Sequence, residues 1–174
     1  MQKLIDDFLS FSRTVAEPKT FELTDLNILL EEAKNDLAES IREKGVVIEI
    51  SKLPSIEVIP FQFRQLMINL ISNSIKYSRE GIAPRIVIVA EILKRKDLHF
   101  KEASADTYVK ISVTDNGIGF EQKYADKIFE MFQRLHSKES YSGTGIGLSI
   151  CKKIVENHAG FIEAEGGVGP GVGF

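Results

Sequence analysis

The chain has 174 residues, 43% hydrophobic and 27% charged, with a net charge of −3 and both signs interspersed. That is enough for one compact domain with a real core plus a short appendage, and it lacks the basic excess of a general nucleic-acid binder. Its one cysteine, Cys151, excludes an internal disulfide framework and fits a reducing compartment.

Residues 1–13, MQKLIDDFLSFSR, carry acids where a signal peptide would have its apolar core. Leu4, Ile5, Phe8 and Leu9 instead fall on one face of a short amphipathic helix, too short to be stable alone. No run of about eighteen apolar residues follows, so no membrane span is expected in this segment. A cytoplasmic location is expected, with a parent protein that is either membrane-anchored or soluble. Residues 14–20 contain Pro18 and read as a linker.

Residues 21–23 read as extended. Thr24 is the expected N-cap of a helix whose stripe runs Leu26, Leu29, Leu30, Ala33, Leu37 and Ile41, with Asp25 in its first turn and Gly45 as terminator. Strands are expected at 46–51 and 56–59. A long helix over 60–77 turns Phe63, Leu66, Met67, Leu70 and Ile71 inward. Residues 85–93 and 108–114 read as strands joined by a polar hairpin tip. A glycine loop, a short helix and a second glycine loop precede a helix over 145–157, a strand over 161–165 and a glycine-rich end. Hairpin-like pairs rather than regular βαβ alternation predict a two-layer α/β (α+β) sandwich and disfavour a Rossmann fold.

Three motifs carry chemistry. In the helix RQLMINLISNSIKYS, Asn69 and Asn73 stand at i and i+4, so both amides share one face, and Lys76 and Tyr77 follow one turn later. This set suits a phosphate-bearing ligand, an amide oxygen being a hard donor for Mg²⁺; a polar surface stripe is equally compatible. In DNGIGF, Asp115 is an acceptor fixed at a strand end, and Gly117 and Gly119 permit close backbone approach to a flat ring. An ordinary Asp-Asn-Gly turn fits the same residues. In GTGIGLSI, Gly143, Gly145 and Gly147 precede an apolar-periodic helix whose unpaired N–H groups suit phosphate. Neither a Rossmann nor a Walker arrangement surrounds it.

Taken together and in this order, the three resemble the histidine-kinase branch of the Bergerat-fold ATPases, over roughly residues 24–174. The resemblance implies a mixed, mostly antiparallel sheet with helices packed on one face. Asn69, Asn73, Lys76 and Tyr77 correspond to the N-box. Asp115, Gly117 and Gly119 form the first glycine box, and Gly143, Gly145 and Gly147 the second. Phe129 and Phe132 in IFEMFQRL look like the phenylalanine box, which with GLSICKKIVENHAG points to sensor kinases.

The implied roles are specific. Asp115 should accept the adenine amino group, and Asn73 should ligate Mg²⁺. Asn69 should orient or activate the attacking group, with Lys76 on phosphate and Tyr77 on phosphate or nucleoside. Gly143, Thr144, Gly145, Gly147 and the Leu148 amide should hold the ATP phosphates, and residues 133–142 should form a lid. The implied partners are a dimerisation hairpin carrying the phosphoacceptor histidine and a response-regulator receiver domain, with a homodimeric parent; no nucleic acid is implied.

The pattern departs in places. GVGPGVGF supplies Gly169, Gly171 and Phe174 of the last box, but Val172 and Gly173 stand where a hydroxyl residue is usual. Ser74 replaces the usual Ala, and a last core strand is expected beyond Phe174. His99, His136 and His158 read as solvated surface groups, none of them the phosphoacceptor. Residues 1–20 therefore read as the tail of a dimerisation helix plus linker, and 21–174 as the catalytic domain. Two other readings stay open: a non-catalytic nucleotide-binding or scaffolding module, and a serine kinase of the anti-sigma type on the same fold.

Overall fold

The computed structural model describes residues 20–98, 105–133, 144–166, 172 and 173, with Ile5 and Ser12. The expected helix over 1–13 otherwise lies outside the described residues, as do His99, His136, Gly143, most of the expected lid, Gly169, Gly171 and Phe174.

The elements are β1 (Glu22–Asp25), α1 (Leu26–Asp36), α2 (Ala38–Lys44), β2 (Val47–Ile50), β3 (Ser55–Val58), α3 (Pro60–Lys76), β4 (Arg85–Lys94), β5 (Thr107–Asp115), α4 (Gly147–Asn157), β6 (Glu165–Gly166) and β7 (Val172–Gly173). Strands β1 and β3 make a separate antiparallel pair. The main sheet runs β2-β4-β5-β7-β6, with β2 parallel to β4 and the remaining pairs antiparallel.

The pleat explains the layering. Along β4, Ile86 and Ile88 turn inward and are fully buried, while Val89, on the other face, is exposed. Helices α1, α3 and α4 cover the inward face. Leu26, Leu30, Leu70, Ile71, Ile150 and Ile154 meet Ile86, Ile88 and Val113 in one core, giving two layers as expected.

Several details differ from the sequence reading. The N-cap of α1 is Asp25, whose Oδ1 accepts the Asn27 N–H at 2.8 Å; Thr24 is taken up in β1 and its hydroxyl donates to the Glu22 carbonyl. The apolar stripe from Leu26 to Ile41 belongs to two helices, because Leu37 (φ −102, ψ 8) breaks the run. Gly45 ends α2 at φ +60, the left-handed cap expected of a glycine. Among the described residues, 161–164 pair with no strand, and Glu165 and Gly166 are the part of this segment that joins the sheet.

His158 is not a solvated surface group. It is half-buried behind α4, and its Nε2 accepts the Ile59 N–H at 2.9 Å. Its Nδ1 lies 2.7 Å from the Ile154 carbonyl, an acceptor, so the proton sits on Nδ1. Phe21 and Phe63 pack edge-on against the ring. Deeper in, Asn157 donates to Gln62 at 3.1 Å, a buried polar pair that fixes the register of α4 on α3.

Candidate functional site

A cleft of about 370 Å³ opens between α3, α2 and the start of α4. Its walls include Asn69, Asn73, Lys76 and Tyr77 from α3, facing Thr144, Gly145, Gly147 and Leu148. Eight of the site residues expected from sequence therefore share one concavity, although some 70 positions separate the two groups in the chain. The periodicity of α3 is the reason: its apolar positions bury Leu66, Met67, Leu70 and Ile71 in the core, which turns the asparagine face outward.

The two asparagines differ in their surroundings. Asn69 is tied down: its Oδ1 accepts from Gln65 at 3.2 Å and its Nδ2 donates to the Gly147 carbonyl at 3.3 Å. The Asn73 amide makes no side-chain hydrogen bond among the described residues and is available to a ligand. Lys76 Nζ bonds the Tyr77 hydroxyl at 2.8 Å and lies over its ring, so the cation is held at the mouth of the cleft.

Asp115, Gly117 and Gly119 do not line the cleft. They are stitched to its wall: the Ile118 N–H donates to the Tyr77 carbonyl at 2.9 Å, and Arg79 Nε donates to the Gly117 carbonyl at 2.8 Å. Asp115 is buried, with Oδ1 accepting the Gly117 N–H at 2.8 Å. A Cβ on Gly117 would lie 2.6 Å from the Tyr77 carbonyl oxygen and 2.9 Å from Asp115 Oδ1, so the close approach demands glycine there.

The start of α4 has no side-chain cap among the described residues. Ile146 precedes it, and the Ser149 hydroxyl donates to the Ile146 carbonyl at 2.7 Å rather than serving the first-turn N–H groups. The space beside Gly147 is open. Gly145, at φ +74, accepts the Phe132 N–H on its carbonyl at 2.9 Å, joining the phenylalanine segment to the second glycine loop. Phe132 itself holds φ 64 and is exposed, whereas Phe129 is buried with Ile128. Cys151, one turn into α4, is fully buried; burial pushes its thiol up to about 12, while a hydrogen bond with the Asn69 side chain acts the other way.

Sequence reasoning missed Ser40, Glu43 and Lys44, which line the cleft from α2. Lys44 Nζ bonds the Ile75 carbonyl at 2.9 Å and the Ser78 hydroxyl at 3.3 Å, capping the end of α3 beneath Lys76 and Tyr77. Its only signal in sequence is a lysine before a helix-ending glycine. Among the described residues no cluster of three His, Cys, Asp or Glu could hold a metal.

Residues 58–174 match the family described as histidine kinase-, DNA gyrase B-, and HSP90-like ATPase. Cyanobacterial phytochrome A of Nostoc sp. is 41% identical across all of this chain, which covers 21% of that protein. The solved structure of full-length ShkA in complex with AMPPNP matches with a TM-score of 0.73 and 25% identity, covering 98% of this chain and 34% of that one. Histidine kinase ThkA in complex with response regulator protein TrrA matches with a TM-score of 0.68 and 25% identity, covering 99% and 45%. The chain spans about a fifth of the length of the curated relatives it matches.

Proposed function

This chain belongs to the histidine kinase-, DNA gyrase B- and HSP90-like ATPase family, and we propose that it is the ATP-binding catalytic domain of a two-component sensor histidine kinase. It transfers the ATP γ-phosphate to a histidine on a dimerisation hairpin outside this chain. The observation that carries the reading is the single cleft in which the α3 amides and Lys76 face the uncapped start of α4. Amides and an ammonium on one wall and helix-start N–H groups on the other suit a polyphosphate.

Within this reading Asp115, buried and already fixed by the Gly117 N–H, accepts the adenine amino group. Thr144, Gly145, Gly147 and the Leu148 amide hold the phosphates, with Gly143 beside them, and Lys76 and Tyr77 close the site from α3. Mg²⁺, when bound, supplies charge neutralisation at the phosphates. Asn73 would hold it together with phosphates and waters, which suits an unengaged amide in a cleft without an acidic cluster among the described residues. Asn69 orients the attacking imidazole. A bond forms between the imidazole nitrogen and the γ-phosphorus, the bond to the β,γ-bridging oxygen breaks, and ADP leaves. Catalysis is therefore positioning plus electrostatics.

The partners in this reading are the dimerisation hairpin and a response-regulator receiver domain, in a homodimeric parent at the cytoplasmic side. In this reading residues 1–20 correspond to the tail of the dimerisation helix and a linker. No helix among the described residues is long and apolar enough to cross a membrane. The test is titration of the chain with a fluorescent ATP analogue. Saturable binding that strengthens with Mg²⁺ and is displaced by ATP is expected; no binding at millimolar nucleotide would overturn the reading.

A further inference from the structure

Gln65 stands one turn before Asn69 on α3 and is not among the site residues expected from sequence. Its Nε2 donates to Asn69 Oδ1 at 3.2 Å, while Asn69 Nδ2 donates to the Gly147 carbonyl at 3.3 Å. A backbone carbonyl can only accept, so the Gly147 contact decides which end of the Asn69 amide is nitrogen. With that nitrogen toward α4, the oxygen must lie toward Gln65, and Gln65 must donate.

The remaining capacity of Asn69 can be counted. A side-chain amide has two donor hydrogens and two acceptor lone pairs. One hydrogen goes to the Gly147 carbonyl and one lone pair takes the Gln65 N–H, so the NH₂ end faces α4 and the oxygen end faces Gln65. On the oxygen end, one lone pair of Oδ1 is left for the cleft.

We propose that Gln65 is a positioning residue for phosphoryl transfer, locking the Asn69 amide so that Asn69 meets the attacking group only as a hydrogen-bond acceptor. The inference rests on the reading of the cleft as the phosphotransfer site. An acceptor there can hold the N–H of an imidazole whose other nitrogen attacks phosphorus. A freely turning amide would present its NH₂ instead and misalign the nucleophile. The same lock ties α3 to the first turn of α4, so the asparagine face and the phosphate-binding amides keep a fixed relation.

The test uses the chain with Mg-ATP and the purified dimerisation hairpin in trans, comparing Gln65→Met and Gln65→Glu. Gln65 is only half-buried, and both replacements favour helix. Gln65→Met removes the donor; kcat should fall about tenfold with KM for ATP within about twofold of the parent chain. Gln65→Glu keeps the shape but sets a carboxylate against Oδ1; kcat should fall about a hundredfold at neutral pH. As pH falls into the carboxylate range the protonated side chain regains a donor, so this variant should recover relative to the parent.

A second readout needs no turnover. The Asn69 side-chain NH₂ resonances, assigned by their loss in Asn69→Ala, should shift in both variants while signals from the sheet stay in place. Unmoved resonances, an unchanged kcat, or equal and pH-independent losses in the two variants would overturn the lock. If the parent chain itself phosphorylates nothing, the functional reading fails, and the Asn69 resonances still decide whether Gln65 holds the amide.

Discussion

The carbonyl oxygen of Tyr77, at the end of α3, stands 2.6 Å from where a Cβ on Gly117 would lie, and it accepts the N–H of Ile118 at 2.9 Å. The end of the asparagine helix and the turn that follows Asp115 are thus one unit. Gly117→Ala must push either backbone or Asp115 aside. Affinity for an ATP analogue should fall at least about tenfold, with a loss of about 1–3 kcal/mol in stability. Titration and thermal melting check this; parent-like affinity would mean that Asp115 is not where the ligand is held.

Asn73 is an unengaged amide of the cleft among the described residues, so Asn73→Ala should remove the Mg²⁺ enhancement of analogue binding and leave metal-free binding near that of the parent. Since no packed hydrogen bond is lost, its melting temperature should stay within a few degrees, a change of under about 0.5 kcal/mol. Isothermal titration with and without Mg²⁺ separates the two effects. Mg²⁺ enhancement that survives the substitution would assign the metal elsewhere.

How far the sequence carried can be judged element by element. The helix α3 and its outward amides were legible because seventeen residues repeat one period without interruption. The break at Leu37 was not, since the apolar stripe runs through it and only the backbone turns. Of the strand expected at 161–165, the last residue alone finds a partner strand among the described residues. Within the site, asparagine and glycine spacing picked out residues that share the cleft, but not what holds those groups. Lys44 and Cys151 act through contacts that exist only once α2 and α4 pack against α3, and Gln65 matters through Asn69, whose amide is oriented by the start of α4.

His158 shows the same limit, and it can be tested. It accepts the Ile59 N–H and sits between Phe21 and Phe63. His158→Leu should orphan that N–H and cost about 1–3 kcal/mol, with nucleotide affinity unchanged because the site lies at the other end of α4. His158→Gln, which can still accept, should recover part of the loss. Urea unfolding at neutral pH measures both; no change in His158→Leu would contradict the staple.

Cys151 gives a prediction on pH. Its thiol rises from 9.0 to about 12 through burial. The folded pKa lies above the unfolded one, so the native state keeps the proton longer. The stabilisation is complete below pH 9 and is lost as pH rises toward 12. At pH 8 the native chain should resist thiol alkylation, and one equivalent should react after urea unfolding. Rapid labelling of the native chain would show that α4 opens or that the thiol is exposed.

The most direct measurement is phosphate transfer in trans. The chain, γ-labelled ATP, Mg²⁺ and the purified dimerisation hairpin of its parent are combined, and the hairpin is analysed for label. The account predicts acid-labile, base-stable phosphohistidine that depends on Asn69 and is absent when the hairpin histidine is replaced. Acid-stable phosphoserine, or an unlabelled hairpin beside a chain that binds ATP, would contradict it.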